Sequence, residues 1–182
     1  MYSALQLGAP AVPGSSTDQR VRRLVHEHLD AVVRTLAKLG VSDGALDDAA
    51  QQVFLVATSK LDGIDLPRER QYLLGIAVRI ASHARRTVQR RRETPMDDGL
   101  MLSEAGPLPD QLVDERRAYA LLESIVAELP DGMREAFVLF DIEELTAGEV
   151  AELLEIPLGT VASRVRRARE QVRQSLLRAR KP

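Results

Sequence analysis

From Asp18 onward, apolar residues recur three or four positions apart: Val21, Leu24, Val25, Leu29, Val32, Val33, Leu36 and Leu39. That spacing lines one face of a helix, and Gly40 supplies the stop. A second helix, starting after Ser42 or Asp43, carries Leu46, Ala50, Val53, Phe54, Ala57 and Leu61 on its apolar side and Asp47, Asp48, Gln51 and Gln52 on its polar side. After the turn signal DGIDLP, a third runs from about Arg68 into ARRTVQRRR with Tyr72, Leu73, Ile76, Ala77 and Ile80 facing inward. Three such helices predict a small bundle.

The periodicity then fails. Between Thr94 and Leu112 lie DDG, EAGPLP and several acids with no repeating apolar spacing, the composition of a flexible linker. It resumes with Tyr119, Leu122, Ile125, Val126 and Leu129, a helix stopped at Pro130, and continues in one holding Met133, Ala136, Phe137, Leu139 and Phe140. TAGE at residues 146–149 has the form of a capping box, and the helix it opens runs through Val150, Ala151, Leu153 and Leu154 until IPLG. A last helix is expected to start with Thr160 as N-cap and to bury Val161, Val165, Ala168, Val172 and Leu176. The expected organisation is a flexible N-terminal tail (1–18), a three-helix bundle (19–93), an acidic linker (94–115) and a four-helix domain (116–182).

Composition sharpens the class. Aromatic residues make up 3% and Trp is absent, so both cores must be built from Leu, Val, Ile and Ala, which predicts an all-α protein of two small helical domains. The absence of Cys excludes disulfide frameworks, thiol nucleophiles and zinc ribbons, and fits a reducing, cytoplasmic setting. No cationic start with an apolar core opens the chain, and no apolar run suits a membrane span, so membrane insertion is not expected. His26 and His28 are two apart and do not share a helix face, which argues against a metal pair. With sparse His and no phosphate-binding Gly loop, neither an enzyme nor a cofactor is expected.

The formal net charge of -2 conceals blocks of opposite sign. Arg68 to Arg92 holds eight arginines and one acid, Glu93 to Glu115 seven acids and no base, and Thr160 to Lys181 eight bases and one acid. Two cationic surfaces therefore flank an anionic connector, and the local field decides what each attracts.

The last cationic block begins IPLGTVASRVRRARE, residues 156–170. A short capped helix, a turn containing Pro157 and Gly159, and a second helix with a cationic outer face make the helix-turn-helix plan, whose second helix enters the DNA major groove. On this reading Pro157 stops the first helix and Gly159 takes the unusual backbone conformation of the turn. Thr160, Ala162, Ser163, Arg166 and Arg167 then face the groove, flanked by Arg164 and Arg169. Arginine suits this place because its fork pairs with guanine edges or grips phosphate.

With the preceding LPDGMREAFVLFDIEELTAGEVAELLEIPL, this segment closely resembles the promoter-reading domain of bacterial sigma factors of the extracytoplasmic function (ECF) group of the sigma-70 family, which typically carries GTVxSRxxRAR. The resemblance is nearly continuous from Leu129 to Gln171. It extends to the first bundle, where ALDDAAQQVFL (45–55) is similar to the helix that docks on core RNA polymerase; this implies polymerase contacts for Asp47, Asp48, Gln51 and Gln52. YLLGIAVRIASHARR (72–86) resembles the segment that reads the minus-10 element, usually WLxxIArNxxxDxxR, and implies that role for Arg79, His83, Arg85 and Arg86. Here Tyr72 stands for the usual Trp, Arg79 for Asn and His83 for Asp, departures that bear on base preference.

The resemblance implies a factor with no catalytic residues, which docks on core polymerase, reads the minus-35 element with Thr160, Ala162, Ser163, Arg164, Arg166 and Arg167, and stabilises melted minus-10 DNA. Arg85, Arg86 and Arg90 to Arg92 would grip phosphates. Its partners would be core RNA polymerase and promoter DNA, with an anti-sigma protein as a further one. Two other classes stay open on the residues alone: a stand-alone helix-turn-helix regulator that needs no polymerase, and a helical adaptor that binds only protein.

Overall fold

The computed structural model describes residues 16–93 and 120–179, all of whose regular elements are helical. The chain forms α1 (Ser16–Lys38), α2 (Asp43–Thr58), two 3-10 turns (Leu61–Gly63 and Leu66–Arg68) and α3 (Glu69–Glu93). From residue 120 come α4 (120–127), α5 (Asp131–Phe137), a π turn (Val138–Ile142), α6 (Ala147–Leu154) and α7 (Leu158–Ala179). The expected linker, Tyr119 and most of the expected tail lie outside the described residues.

The apolar positions do what their spacing demands. Leu24, Val32, Leu36 and Leu39 of α1, Ala50, Val53, Phe54 and Ala57 of α2, and Leu73, Leu74, Ile76 and Ala77 of α3 are all buried, and the three helices pack on one another. Gly40 ends α1 at φ 89, a conformation that costs glycine little. In the second half Ile125, Val126 and Leu129 pack with Ala136, Val138 and Leu139 and with Val161, Val165, Ala168 and Val172 of α7.

Arg134 explains how α4 can end so abruptly at Pro130. Buried, it donates to the carbonyls of Val126 (3.1 Å), Ala127 and Leu129 (2.9 Å) at the end of a helix that has stopped; the Val126 carbonyl also accepts from the Leu129 amide at 3.2 Å. Burial, and next the nearby charge of Arg85, pulls its guanidinium below the usual arginine range. Its neighbour Glu135 faces the other way, toward α3.

The two halves are in contact. α6 lies on α3, where Gly75 leaves room for Leu153: a Cβ at Gly75 would stand 2.7 Å from Leu153 Cδ2. The π turn lies on α1, and the buried residues of both halves form one continuous cluster. A π turn adds a residue to the helical repeat and re-aims the chain. Here it delivers Glu143, whose carboxylate is buried, to two arginines of the first bundle. Arg34 binds both oxygens at 3.0 Å, and Arg70 donates to Oε2 at 2.7 Å and to the Glu143 carbonyl at 2.9 Å. The Glu143 hydrogen bond raises the Arg34 pKa.

Candidate nucleic-acid interface

The helix-turn-helix is assembled from local chemistry. At the start of α6 the Thr146 hydroxyl accepts from the Glu149 amide (3.3 Å), while Glu149 Oε2 accepts from the Thr146 amide (2.8 Å) and hydroxyl (2.7 Å). This is the capping box that TAGE forecast. These bonds, the side-chain one first, hold the Glu149 carboxyl below its usual range. A carboxyl whose folded-state pKa is depressed stabilises the fold above its unfolded pKa, and loses that contribution as the pH falls through the folded one. Thr146→Ala is therefore expected to cost about 1 kcal/mol at neutral pH, with the gap to wild type narrowing in acid. Thermal melts of both proteins across an acid series test this, and a gap constant with pH would contradict it.

At the far end of α6 the chain turns differently from the sequence expectation. The left-handed residue is Glu155 (φ 54), not Gly159, and the Ile156 amide reaches back to the Ala151 carbonyl at 3.1 Å. That bond, spanning five residues, is the closure that satisfies a helix end through a left-handed residue. α7 then starts at Leu158, two residues before Thr160, because the Pro157 carbonyl already accepts from the amides of Thr160 (2.8 Å) and Val161 (3.2 Å). Thr160 thus lies in the first turn of α7 and is not its N-cap. Gly159 is exposed there, with open space where a Cβ would stand.

Beyond this turn Val161, Val165, Ala168 and Val172 face inward, and Ala162, Arg166 and Arg167 are exposed. Thr160 and Ser163 are half-buried, the Ser163 hydroxyl donating to the Thr160 carbonyl at 2.9 Å. Arg164 is half-buried with its guanidinium against Gly132, where a Cβ would come within 2.9 Å of it. Arg169 is held over Phe140, 5.3 Å from the ring centre, and chelates Asp141 through Nε (3.0 Å) and Nη2 (2.5 Å). Among the described residues no ion pair engages Arg166 or Arg167. The face thus sorts into two open arginines at its centre, with the half-buried Arg164 and the ion-paired Arg169 at its margins.

On α3, Arg79, His83 and Arg86 are exposed at positions four and three apart, which places them on one face. Arg85 lies elsewhere: its side chain is 12% exposed, and it binds Glu135 (2.7 Å), Asp131 (3.1 Å) and the Leu39 carbonyl (2.5 Å). Glu135 also accepts from Ser82 at 2.7 Å, and Arg79 meets Glu155 at 3.3 Å. Acids of the second half therefore occupy part of the cationic surface of α3. The side chains of Arg91 and Arg92 lie outside the described residues. On α2, Asp47, Asp48, Gln51 and Gln52 are all exposed, as their polar positions imply.

Sequence reasoning passed over the residues that tie the halves together, Arg34, Arg70, Glu135 and Glu143. It also passed over Glu69, the single acid in its arginine block, which is buried and holds Arg20 and Arg23 of α1 at 2.8 Å each. That isolation in a cationic run was the available signal for Glu69; the others left none.

Two helical units, one of them a capped helix-turn-helix with an arginine-bearing outer face, define a DNA-binding protein of the two-domain helical class. Residues 119–172 match the family described as Sigma-70, region 4. The chain is 33% identical to the ECF RNA polymerase sigma factor SigW of Bacillus subtilis, over 71% of this chain and 74% of that protein. It is 30% identical to the ECF sigma factor SigE of Mycolicibacterium smegmatis over 84% of this chain, and spans 60% of that relative's length. Two solved structures share the fold, each with a TM-score of 0.67: CnrH in complex with the cytosolic domain of CnrY (24% identity, 92% of this chain and 93% of that one), and the sigma factor RpoE of Bartonella quintana in complex with the anti-sigma factor NepR (19% identity, 87% and 97%). The chain belongs to the ECF group of RNA polymerase sigma factors.

Proposed function

We propose that this chain performs its family's task through three separate surfaces: it docks on core RNA polymerase with α2, reads the minus-35 element with α7, and holds melted minus-10 DNA against α3. The observation that carries the reading is the outer face of α7, where Arg166 and Arg167 stand exposed on a helix positioned by a capped α6 and a left-handed turn. Thr160, Ala162 and Ser163 offer small groups beside them for close approach to the groove, and Arg164 and Arg169 flank it. Mounting both DNA-reading faces on one enzyme makes their contacts effectively intramolecular, so weak individual sites act together. The work is done in the cytoplasm, with no catalytic chemistry of the chain's own, and an anti-sigma protein is a natural antagonist.

The minus-10 role falls on Arg79, His83 and Arg86, which share an open face of α3. Arg85 can join them only after leaving Glu135 and Asp131, so in the arrangement described it is a tie between the halves. Phosphate contacts by this surface would make binding fall steeply with salt.

Run-off transcription with core polymerase and a promoter library tests the assignments. Arg167→Ala is expected to lose selectivity at the upstream element by roughly 5- to 150-fold, the equivalent of about 1–3 kcal/mol for one specific base contact. Asp48→Ala should weaken polymerase binding and leave upstream selectivity alone. Wild-type behaviour of both variants would remove these assignments, and a promoter footprint made by the chain unaided would favour a stand-alone regulator.

A further inference from the structure

The first turn of α7 suits its own helix poorly. Leu158 opens it 56% exposed and takes no part in the buried cluster. Gly159 follows in helical conformation with open space where a Cβ would stand, although glycine is a poor helix former. The turn holds no acid, although the positive end of a helix favours one. Local costs of this kind mark a surface shaped for something outside the chain. The outer face of α7 also changes character along its length. Leu158, Ala162 and Arg166 follow one another at intervals of four, all exposed, and so form one stripe. The helix carries no charge before Arg164, whereas Arg166 and Arg167 make the next part of the face cationic.

We infer that Leu158 is a specificity-determining residue for the minus-35 element, packing its side chain on the C5-methyl of a thymine while Arg166 and Arg167 pair with guanine. The inference rests on the minus-35 role of α7 proposed above and adds a base to it. Base edges in the major groove present hydrogen-bonding groups, and the thymine methyl is the apolar feature among them. A leucine side chain has neither donor nor acceptor, so that methyl is what it can recognise there. The other two features of the turn serve the same approach: without an acid it sets no like charge against the phosphates, and at Gly159 no side chain holds the backbone away. Ala162, one turn on, adds a second small apolar contact beside Leu158. Leu158 and Arg166 stand about 12 Å apart along the helix axis, or roughly three to four base-pair steps of about 3.4 Å. The thymine read by Leu158 therefore lies within about four base pairs of the guanine read by arginine.

A promoter duplex selected from the library by the wild-type holoenzyme gives the probe. Each thymine of its upstream element is replaced in turn by deoxyuridine, which removes one methyl and leaves every hydrogen-bonding group in place. Equilibrium affinity is measured for holoenzymes assembled from full chains of wild type, Leu158→Ala, Leu158→Met and Arg167→Ala. With wild type, one replacement is expected to weaken binding about three- to five-fold, the size that burial of a single methyl implies. Leu158→Ala should bind the unmodified duplex more weakly by a similar factor and register the same replacement by less than about 1.5-fold, whereas Leu158→Met should keep part of the response. Because Leu158 lies outside the core, both of its variants should keep the wild-type melting temperature and core polymerase affinity. Full deoxyuridine sensitivity in Leu158→Ala would overturn the inference. So would a loss of core polymerase affinity in its place, which would assign the leucine to the enzyme. Failure of the inference and failure of the minus-35 role are separable. If no deoxyuridine matters to wild type but Arg167→Ala still loses upstream selectivity, the inference falls and the role stands; if neither has an effect, both fall.

Discussion

Arg134→Ala is expected to remove most of the stability of the C-terminal unit. The side chain closes α4 by donating to three carbonyls, and it is buried among them. Truncation takes the side-chain donor from the Ala127 and Leu129 carbonyls, while Val126 keeps the Leu129 amide, in a space that alanine does not fill. Hydrogen bonds from a charged group contribute about 1.5–3 kcal/mol each, and buried polar atoms stripped of a partner cost about 1–3 kcal/mol. Allowing for relaxation and water entry, a loss of about 3–5 kcal/mol is expected. At roughly 0.05–0.15 kcal/mol per residue, a unit the size of residues 120–179 has only about 3–9 kcal/mol to lose. Thermal unfolding followed by circular dichroism should show the melting of this unit split from the single wild-type transition and lowered by more than about 10 °C. Arg134→Lys should recover only part of it, because one ammonium cannot span three carbonyls. A melting curve for the alanine variant within about 2 °C of wild type would contradict the capping role.

Glu143→Gln should separate the two halves without unfolding either. The carboxylate is buried while its partners are partly exposed, Arg34 at 46% and Arg70 at 37%. Removing one member of a fully buried pair costs about 3–5 kcal/mol, but these arginines can turn to water once the acid is gone, so about 1–2 kcal/mol is the fitting figure. All of it falls on the contact between the π turn and helices α1 and α3. The expected results are a larger radius of gyration by small-angle scattering, two thermal transitions in place of one, and tighter binding of single-stranded minus-10 DNA, as Arg79 and Arg85 are released from Glu155, Glu135 and Asp131. Compact scattering together with unaltered DNA affinity would show that Glu143 does not govern the closed arrangement. The test has a built-in control, since Glu69 makes a comparable buried contact with Arg20 and Arg23 wholly inside the first bundle, and Glu69→Gln should leave the halves together.

The two results bear on the same design. The Arg134–Glu135 pair has one residue facing each way: the arginine inward to its own helix end, the acid outward to Arg85 and Ser82 of α3. Two adjacent residues thus take two distinct physical roles. Likewise, the arginines of α7 look alike as a run, but Arg169 is bound to Asp141 and stacked on Phe140, whereas Arg166 and Arg167 stand free of ion pairs among the described residues. Of these three, Arg166 and Arg167 have no carboxylate partner competing with a ligand.

What the sequence determined by itself was whatever acts over one or two helical turns: the apolar stripes, the Gly40 stop, the Thr146–Glu149 box and the outward face of α7, because each follows from spacing along a repeat of 3.6 residues. The turn after α6 marks the edge of that reach. Gly159 is the residue intrinsically suited to a left-handed conformation, yet Glu155 adopts it, since the helix end there is closed by a bond from Ile156 to Ala151 and Pro157 has already opened α7. The tertiary structure alone decided which charges meet. Arg34 and Glu143 lie 109 positions apart, a separation that no periodicity encodes, and their pairing depends on a π turn that rotates one carboxylate out of its own domain and into another. Burial then turns an ordinary surface acid into the join between the halves, because a carboxylate withdrawn from water must find its partners in the protein.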